Sequence, residues 1–116
     1  MAKKEEILNF WFKECKPEQW FKKYEYFDQM IENRFYDAIK DAIAGKLDNW
    51  EDTETGCLAL ILLLDQFTRN VFRDTPQAFA GDQRALALSK LCFNKDYLTN
   101  LDIHRRQFML LSLIHI

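Results

Sequence analysis

The chain has 116 residues, a length that fits one domain built around one hydrophobic core. A formal net charge of −2 gives no general attraction to nucleic acid or to an anionic membrane, and 48% hydrophobic residues exclude a disordered chain. With three Gly and two Pro, long helices are favoured over a β architecture rich in turns.

The apolar segments are too short to cross a bilayer. The longest uninterrupted apolar run covers residues 57–64, whereas a spanning helix needs about 20 residues. The N-terminal sequence MAKKEEILNFWFKE has charges where a signal peptide has its apolar centre. We therefore expect a soluble, cytoplasmic protein that binds neither membranes nor nucleic acid.

The cysteine and histidine content argues against a metal centre. Cys15, Cys57 and Cys92 are far apart and include no CxxC pair, which indicates reduced, buried thiols in a cytosolic protein. The two histidines, His104 and His115, are too few for a metal site. We expect no cofactor.

The first helices are predicted from apolar residues at helical spacing. Ile7 and Trp11 lie on one side of an N-terminal helix, and Pro17 suits the first turn of a short second helix. A third helix ends at Gly45, which can adopt a left-handed conformation. Its apolar residues recur every four positions: Phe27, Ile31, Phe35, Ile39 and Ile43.

Two groups of residues within the first 33 positions could belong to a binding surface or to the ordinary structure of a helical domain. Eight aromatic residues lie between Phe10 and Phe27, which favours a packed core, with a groove for a partner's helix or peptide as the alternative. The carboxylates of residues 25–33, EYFDQMIEN, are interpreted as a solvated helix face.

The pattern of apolar residues and helix breakers in the second half of the chain predicts three further helices. Residues 57–64 are apolar on every face, so their helix should be surrounded by neighbours, with Asp52 or Thr53 as its cap. The sequence RDTPQ breaks this helix, and the next can begin with Thr75 as its cap and Pro76 at its first position, or restart at Gly81–Asp82. Asn100 can cap the last helix, whose stripe is formed by Leu101, His104 and Phe108. The pattern predicts an all-α fold of antiparallel helical hairpins.

Several segments together resemble a known family. The segments ILNFWF, EQWF, FDQMIENRF, AGKLDNW and LALILLLDQFTRNVFRDTPQAFAGDQRALAL are similar to the bacterial domain of unknown function 924 family. Members usually have Pro at the position of Thr68. The resemblance implies an all-helical fold similar to tetratricopeptide-repeat domains, and it brings no established catalytic residue. Whether the chain is an enzyme therefore stays open.

The end of the chain departs from the family pattern. Residues 111–116, LSLIHI, match the translation of a transposon-end sequencing adaptor. We therefore expect residues 1–110 to form a single helical domain, the N-terminal part of a longer family domain, and residues 111–116 to be a non-native tail. On this interpretation the fold is incomplete at its C-terminus.

A dense group of polar residues follows the apolar helix: Asp65, Gln66, Arg69, Asn70 and Arg73. The structural interpretation is that these residues end the buried helix, because cations near a helix C-terminus can bond its free carbonyls. The functional interpretation is an anion site around Asp65, Arg69 and Arg73 for a carboxylate or phosphate. A guanidinium of Arg69 buried against carbonyls would favour the first, and one pointing into an open cleft the second.

The function expected from these observations is binding. We expect a helical scaffold that binds a protein or peptide partner, by analogy with tetratricopeptide-repeat domains. The alternative is a small-molecule-binding protein or enzyme that uses the anion site. The sequence does not specify the partner or the oligomeric state.

Overall fold

The all-α fold predicted from the sequence is confirmed. A computed structural model describes residues 3–20, 24–99 and 101–114, and within these ranges the regular structure is helical, with no β-strand. Side chains are described as far as residue 111. The α-helices are α1 (Lys4–Asn9), α2 (Pro17–Trp20), α3 (Glu25–Ile43), α4 (Glu54–Ile61), α5 (Thr68–Val71), α6 (Asp82–Asn94) and α7 (Ile103–Ile114).

Shorter helical turns extend or connect these helices. A π-helical turn, Phe10–Glu14, continues α1, and a second, Leu62–Phe67, joins α4 to α5 without a break. Two 3₁₀ helices, Asp48–Asp52 and Pro76–Phe79, precede α4 and α6. The segment from Glu54 to Val71 is therefore one long helical rod with a wider turn in its middle.

The rod forms the centre of the core, as its apolar sequence predicts. Residues 57–64 are each at most 1% exposed. α1, α6 and α7 pack against α4, while α3 packs against α5 and the π-helical turn Leu62–Phe67. Since each large aliphatic side chain that is removed from water contributes about 1.5–3 kcal/mol, this rod is a major source of the stability of the fold.

Most of the N-terminal aromatic residues that the structure describes belong to the core, as the first of their two interpretations predicts, while Phe21 lies outside the described residues. Trp11 is fully buried, and its ring lies 5.4 Å from that of Phe67 and 5.5 Å from that of Phe108. The indole N–H of Trp20 donates to the carbonyl oxygen of Trp11 at 2.9 Å. These contacts fasten α1 and α2 to the rod and to α7.

Local sequence signals explain some of the helix ends. The hydroxyl of Thr53 accepts a hydrogen bond from the amide of Gly56 at 3.0 Å, so Thr53 is the cap of α4. Gly45, with a φ of 83°, follows the end of α3 as predicted. The predicted cap Asn100 lies outside the described residues, and the side chain of Asp102 accepts from the amide of Arg105 at the start of α7.

All three cysteines are buried, as the sequence predicts, and two of them meet in the core. Cys57 on α4 and Cys92 on α6 have their sulfur atoms in contact and their Cα atoms 7.2 Å apart, while Cys15 is a free, buried thiol. The two residues in contact are 35 positions apart, so no spacing in the sequence shows that packing of α4 against α6 brings them together. That all three thiols are reduced stays a prediction. Burial raises the pKa of the Cys15 thiol to about 12, so that thiol is not a reactive thiolate.

Candidate functional site

The polar group that follows the apolar helix lies on a buried part of the rod. The backbone widens into the π-helical turn Leu62–Phe67, a feature that is frequent at functional sites, and this turn carries Asp65 and Gln66. Arg69 and Asn70 lie on α5, and Arg73 lies in the turn after it. The structure separates these five predicted residues into two clusters, one that reaches the start of α6 and one that reaches α3.

The first of them, which we name the inner cluster, contains Asp65, Gln66, Arg69 and Asp82. The side chain of Asp65 is 1% exposed. Its carboxylate accepts one hydrogen bond from Arg69 Nη1 at 2.7 Å and one from the side-chain amide of Gln66 at 2.8 Å. Arg69 also donates to the backbone carbonyl of Asp65 and, through Nη2, to Asp82 at 3.0 Å. The guanidinium of Arg69 therefore links the rod to the first residue of α6.

The second, the cleft cluster, contains Asp28, Asn70 and Arg73. Arg73 makes a bidentate ion pair with Asp28, with Nε 2.9 Å from Oδ2 and Nη2 3.1 Å from Oδ1. The amide of Asn70 donates to Oδ1 of the same carboxylate at 2.9 Å. The hydrogen bond that Arg73 donates to Asp28 raises the pKa of Arg73. Because Asp28 belongs to α3, this cluster joins α3 to the end of the rod.

An open cleft adjoins the cleft cluster. It has a volume of about 340 Å³ and lies between α3 and the turn after α5. We name it the acidic cleft, because four carboxylates and one guanidinium line it. The lining residues are Glu25, Asp28, Gln29, Glu32, Asn70, Val71, Arg73 and Asp74.

The turn that forms one wall of the acidic cleft has an unusual backbone. Asp74 has a φ of 68°, in the left-handed region that is uncommon for residues other than glycine. Asp and Asn tolerate this region better than most residues. The left-handed conformation reverses the chain after Arg73 and leaves the carboxylate of Asp74 in the lining of the cleft.

The structure divides the predicted site residues between the two clusters. Asn70 and Arg73 line the acidic cleft, whereas Asp65, Gln66 and Arg69 do not. Sequence reasoning missed Asp28 and Asp82, the carboxylates that pair with Arg73 and Arg69. Asp28 lies 45 positions before Arg73, so its partner gives no signal at helical spacing.

Three further features of the described residues concern metal binding, the environment of His104 and the length of the helices. Within residues 3–20, 24–99 and 101–114, no group of three His, Cys, Asp or Glu side chains could hold a metal ion. His104 is exposed at its helix start, and its ring packs edge-on against Trp20 at 5.0 Å. None of the helices in this part of the chain is long and apolar enough to cross a membrane.

Comparison with known proteins identifies the family. Residues 7–116 match the profile of a family described as a bacterial protein of unknown function, DUF924. The chain belongs to the DUF924 family. The resemblance predicted from the sequence segments is therefore confirmed.

A solved structure of a similar protein supports the all-α fold. The structure of a protein of unknown function from Agrobacterium tumefaciens, ATU0120, is 34% identical in sequence, with a TM-score of 0.91. The match covers 97% of this chain and 64% of that one, so the DUF924 chain spans less than two thirds of its structural relative. A comparison with curated proteins finds no match.

Three finer predictions about this DUF924 chain stay predictions. They are the hairpin arrangement similar to tetratricopeptide-repeat domains, the limit of a single domain at residue 110, and the non-native tail. The family match extends through residues 111–116. Of that segment, residues 115 and 116 and the side chains from 112 onward lie outside the described residues.

Proposed function

We propose that this DUF924 chain is a helical scaffold that binds a peptide segment of a protein partner in the acidic cleft. The observation that carries the proposal is the cleft itself, an open concavity of about 340 Å³ between two helical elements. Binding sites are typically concave and largely formed before the ligand arrives. A volume near the lower end of the usual range fits a few side chains of a peptide.

The walls of the cleft are fixed in position before any partner arrives. α3, a helix of 19 residues, supplies one wall, and its buried residues pack into the core. The bidentate pair of Asp28 and Arg73 ties the other wall to it. A site on rigid elements lowers the entropy lost on binding, because the protein has little left to order.

The anion-site alternative remains a prediction without a specific observation in its favour. Arg69 and Arg73 each donate to carboxylates of the same chain. A phosphate or carboxylate ligand would have to displace Asp28 from Arg73, or approach Arg69 between Asp65 and Asp82. The negative lining of the cleft also repels an anion.

A cytoplasmic location is part of the proposal. The contact between Cys57 and Cys92 makes it testable, since a disulfide between these two residues would persist mainly in an oxidising compartment. In cells quenched with acid, alkylation of free thiols before and after reduction reports the state of this pair. Quantitative oxidation of the pair in living cells would argue against the cytoplasm.

The binding proposal is tested by selection from a peptide library displayed on phage. The immobilised wild-type chain is compared with Gln29→Trp, which fills the cleft without changing charge. Gln83→Trp makes the same change at an exposed position on α6 and is the matched control. We expect the wild type and the control to enrich a common set of peptides that Gln29→Trp does not enrich. Enrichment of no peptide, or equal enrichment by Gln29→Trp, overturns the proposal.

A further inference from the structure

An aromatic patch continues the surface of the acidic cleft along α3. Tyr36 is 40% exposed, and its ring lies 6.2 Å from the half-buried ring of Phe72. Glu25, Gln29, Glu32 and Tyr36 are spaced by four, three and four residues, so they lie on one face of α3. We name Tyr36 and Phe72 the aromatic patch, which is next to the cleft on the same side of the molecule.

Among the described residues that line the acidic cleft, carboxylates outnumber guanidinium groups. The guanidinium of Arg73 in this lining is already paired with Asp28. Glu25, Glu32 and Asp74 add three further carboxylates to the lining. A partner that brings positive charge therefore gains electrostatic energy here, and a partner that brings negative charge is repelled.

The distance between the acidic cleft and the aromatic patch sets how many residues of a bound peptide separate the two side chains that contact them. Tyr36 lies eight positions after Asp28 on α3, which corresponds to a rise of about 12 Å at about 1.5 Å per residue. An extended peptide advances about 3.3 Å per residue, so the same distance covers three or four peptide residues.

We propose that the partner's segment is basic, with a Lys or Arg side chain in the acidic cleft and an apolar side chain, three or four residues away, on the aromatic patch. This inference rests on the proposed function, and it adds the chemistry of the partner. Charge complementarity selects the basic side chain, and the exposed ring of Tyr36 with the half-buried ring of Phe72 provides the surface that an apolar side chain covers.

The test uses four synthetic peptides of one length and one sequence frame. Three have an apolar residue at the chosen spacing and differ by carrying Arg, Gln or Glu at the charged position. The fourth keeps Arg and replaces the apolar residue with Ser. Binding is followed by chemical-shift changes in ¹⁵N-labelled protein, which also show whether Glu32, Asp74 and Tyr36 are the residues affected.

We expect the Arg peptide to bind at least tenfold more tightly than the Glu peptide, and the Ser replacement to weaken it severalfold. The double variant Glu25→Gln, Glu32→Gln should weaken the Arg peptide by about three- to tenfold and leave the Gln peptide unchanged. Glu5→Gln, an exposed change on α1, is the matched control. Raising the ionic strength from about 0.05 M to about 0.5 M should weaken only the Arg peptides.

Two outcomes separate this inference from the proposed function. If the library selection enriches cleft-dependent peptides that are neutral or acidic, or the Gln and Glu peptides bind the cleft as tightly as the Arg peptide, the inference is overturned while the binding proposal stands. If the library selection yields nothing and none of the four peptides shifts a cleft resonance, both are overturned.

Discussion

The inner cluster and the cleft cluster have the same chemistry in different surroundings. In each, one carboxylate accepts hydrogen bonds from an arginine and from a side-chain amide: Asp65 from Arg69 and Gln66, and Asp28 from Arg73 and Asn70. Asp65 is 1% exposed and pairs with a residue four positions later, whereas Asp28 is 16% exposed and pairs across 45 positions. The inner cluster stabilises the rod, and the cleft cluster joins two elements beside an open surface.

A third pair extends this comparison to the protein surface. Asp102, with its side chain 53% exposed, forms an ion pair with Arg105 at the start of α7. Water screens exposed charges, and a buried group that loses its partner cannot be solvated instead. The cost of removing the carboxylate should therefore fall in the order Asp65, Asp28, Asp102.

The largest effect is expected for Asp65→Ala. Removal of this carboxylate leaves the half-buried guanidinium of Arg69 and the buried amide of Gln66 without their main acceptor. We expect a loss of about 3 kcal/mol in the free energy of unfolding, measured by urea denaturation. Asp82→Ala removes the other carboxylate from Arg69, but Asp82 is more exposed, so its loss should stay below about 1 kcal/mol. Equal losses for the two variants would contradict the assigned roles.

An intermediate effect is expected for Asp28→Ala. The variant removes the bidentate partner of Arg73 and the acceptor of the buried Asn70 amide, but the Arg73 side chain is 31% exposed, so water can reach its guanidinium. We expect a loss of about 2 kcal/mol in the free energy of unfolding, together with chemical-shift changes along the turn 70–74. Asp37→Ala, an exposed change on the same helix, should stay within about 0.5 kcal/mol. Loss of stability without any change in this turn would show that the pair does not fix the wall of the cleft.

The same comparison shows which contacts can be predicted from one sequence. The pair of Asp65 and Arg69 was predictable, because residues four positions apart on a helix are neighbours. The cap Thr53 and the helix end at Gly45 were also predictable, since both depend on local backbone chemistry. The buried rod followed from an apolar run that covers every helix face.

Contacts between elements could not be predicted in this way. Asp28 has the sequence context of a solvated helix face, and only the packing of α3 against α5 turns it toward Arg73. The approach of Cys57 to Cys92 depends in the same way on the packing of α4 against α6. The acidic cleft is therefore a tertiary feature, formed by residues that are unremarkable in each segment.

A smaller effect is expected at Asp74, whose backbone shapes the wall of the cleft. Alanine has no side-chain oxygen with which to tolerate a φ of 68°, so Asp74→Ala should cost about 1 kcal/mol of unfolding free energy. Asp74→Gly removes the same carboxylate without the steric penalty and should be close to wild type in urea denaturation. If both variants lose the same stability, the loss comes from the carboxylate and its contacts, and the backbone explanation is wrong.

The smallest effect is expected for Asp102→Ala, and it should depend on pH. The amide and the guanidinium of Arg105 hydrogen-bond the Asp102 carboxylate and hold its pKa below the ordinary value. A lowered folded-state pKa means that the stabilisation is present above about pH 4 and is lost as the pH falls through the lower, folded value. At pH 7 we expect Asp102→Ala to cost about 0.5–1 kcal/mol, as for other helix caps.

Measuring this cost across the pH range distinguishes the charge from the capping geometry. The difference in unfolding free energy between wild type and Asp102→Ala should shrink between pH 4 and the acid limit of folding, because protonation removes the charge that strengthens the cap. Asp102→Asn retains an oxygen that can cap α7 without a charge, so it should approach wild type at low pH. If the difference in unfolding free energy stays constant from neutral to acid pH, the charge of Asp102 contributes nothing to stability. The comparison of buried and exposed ion pairs would then hold only for Asp65 and Asp28.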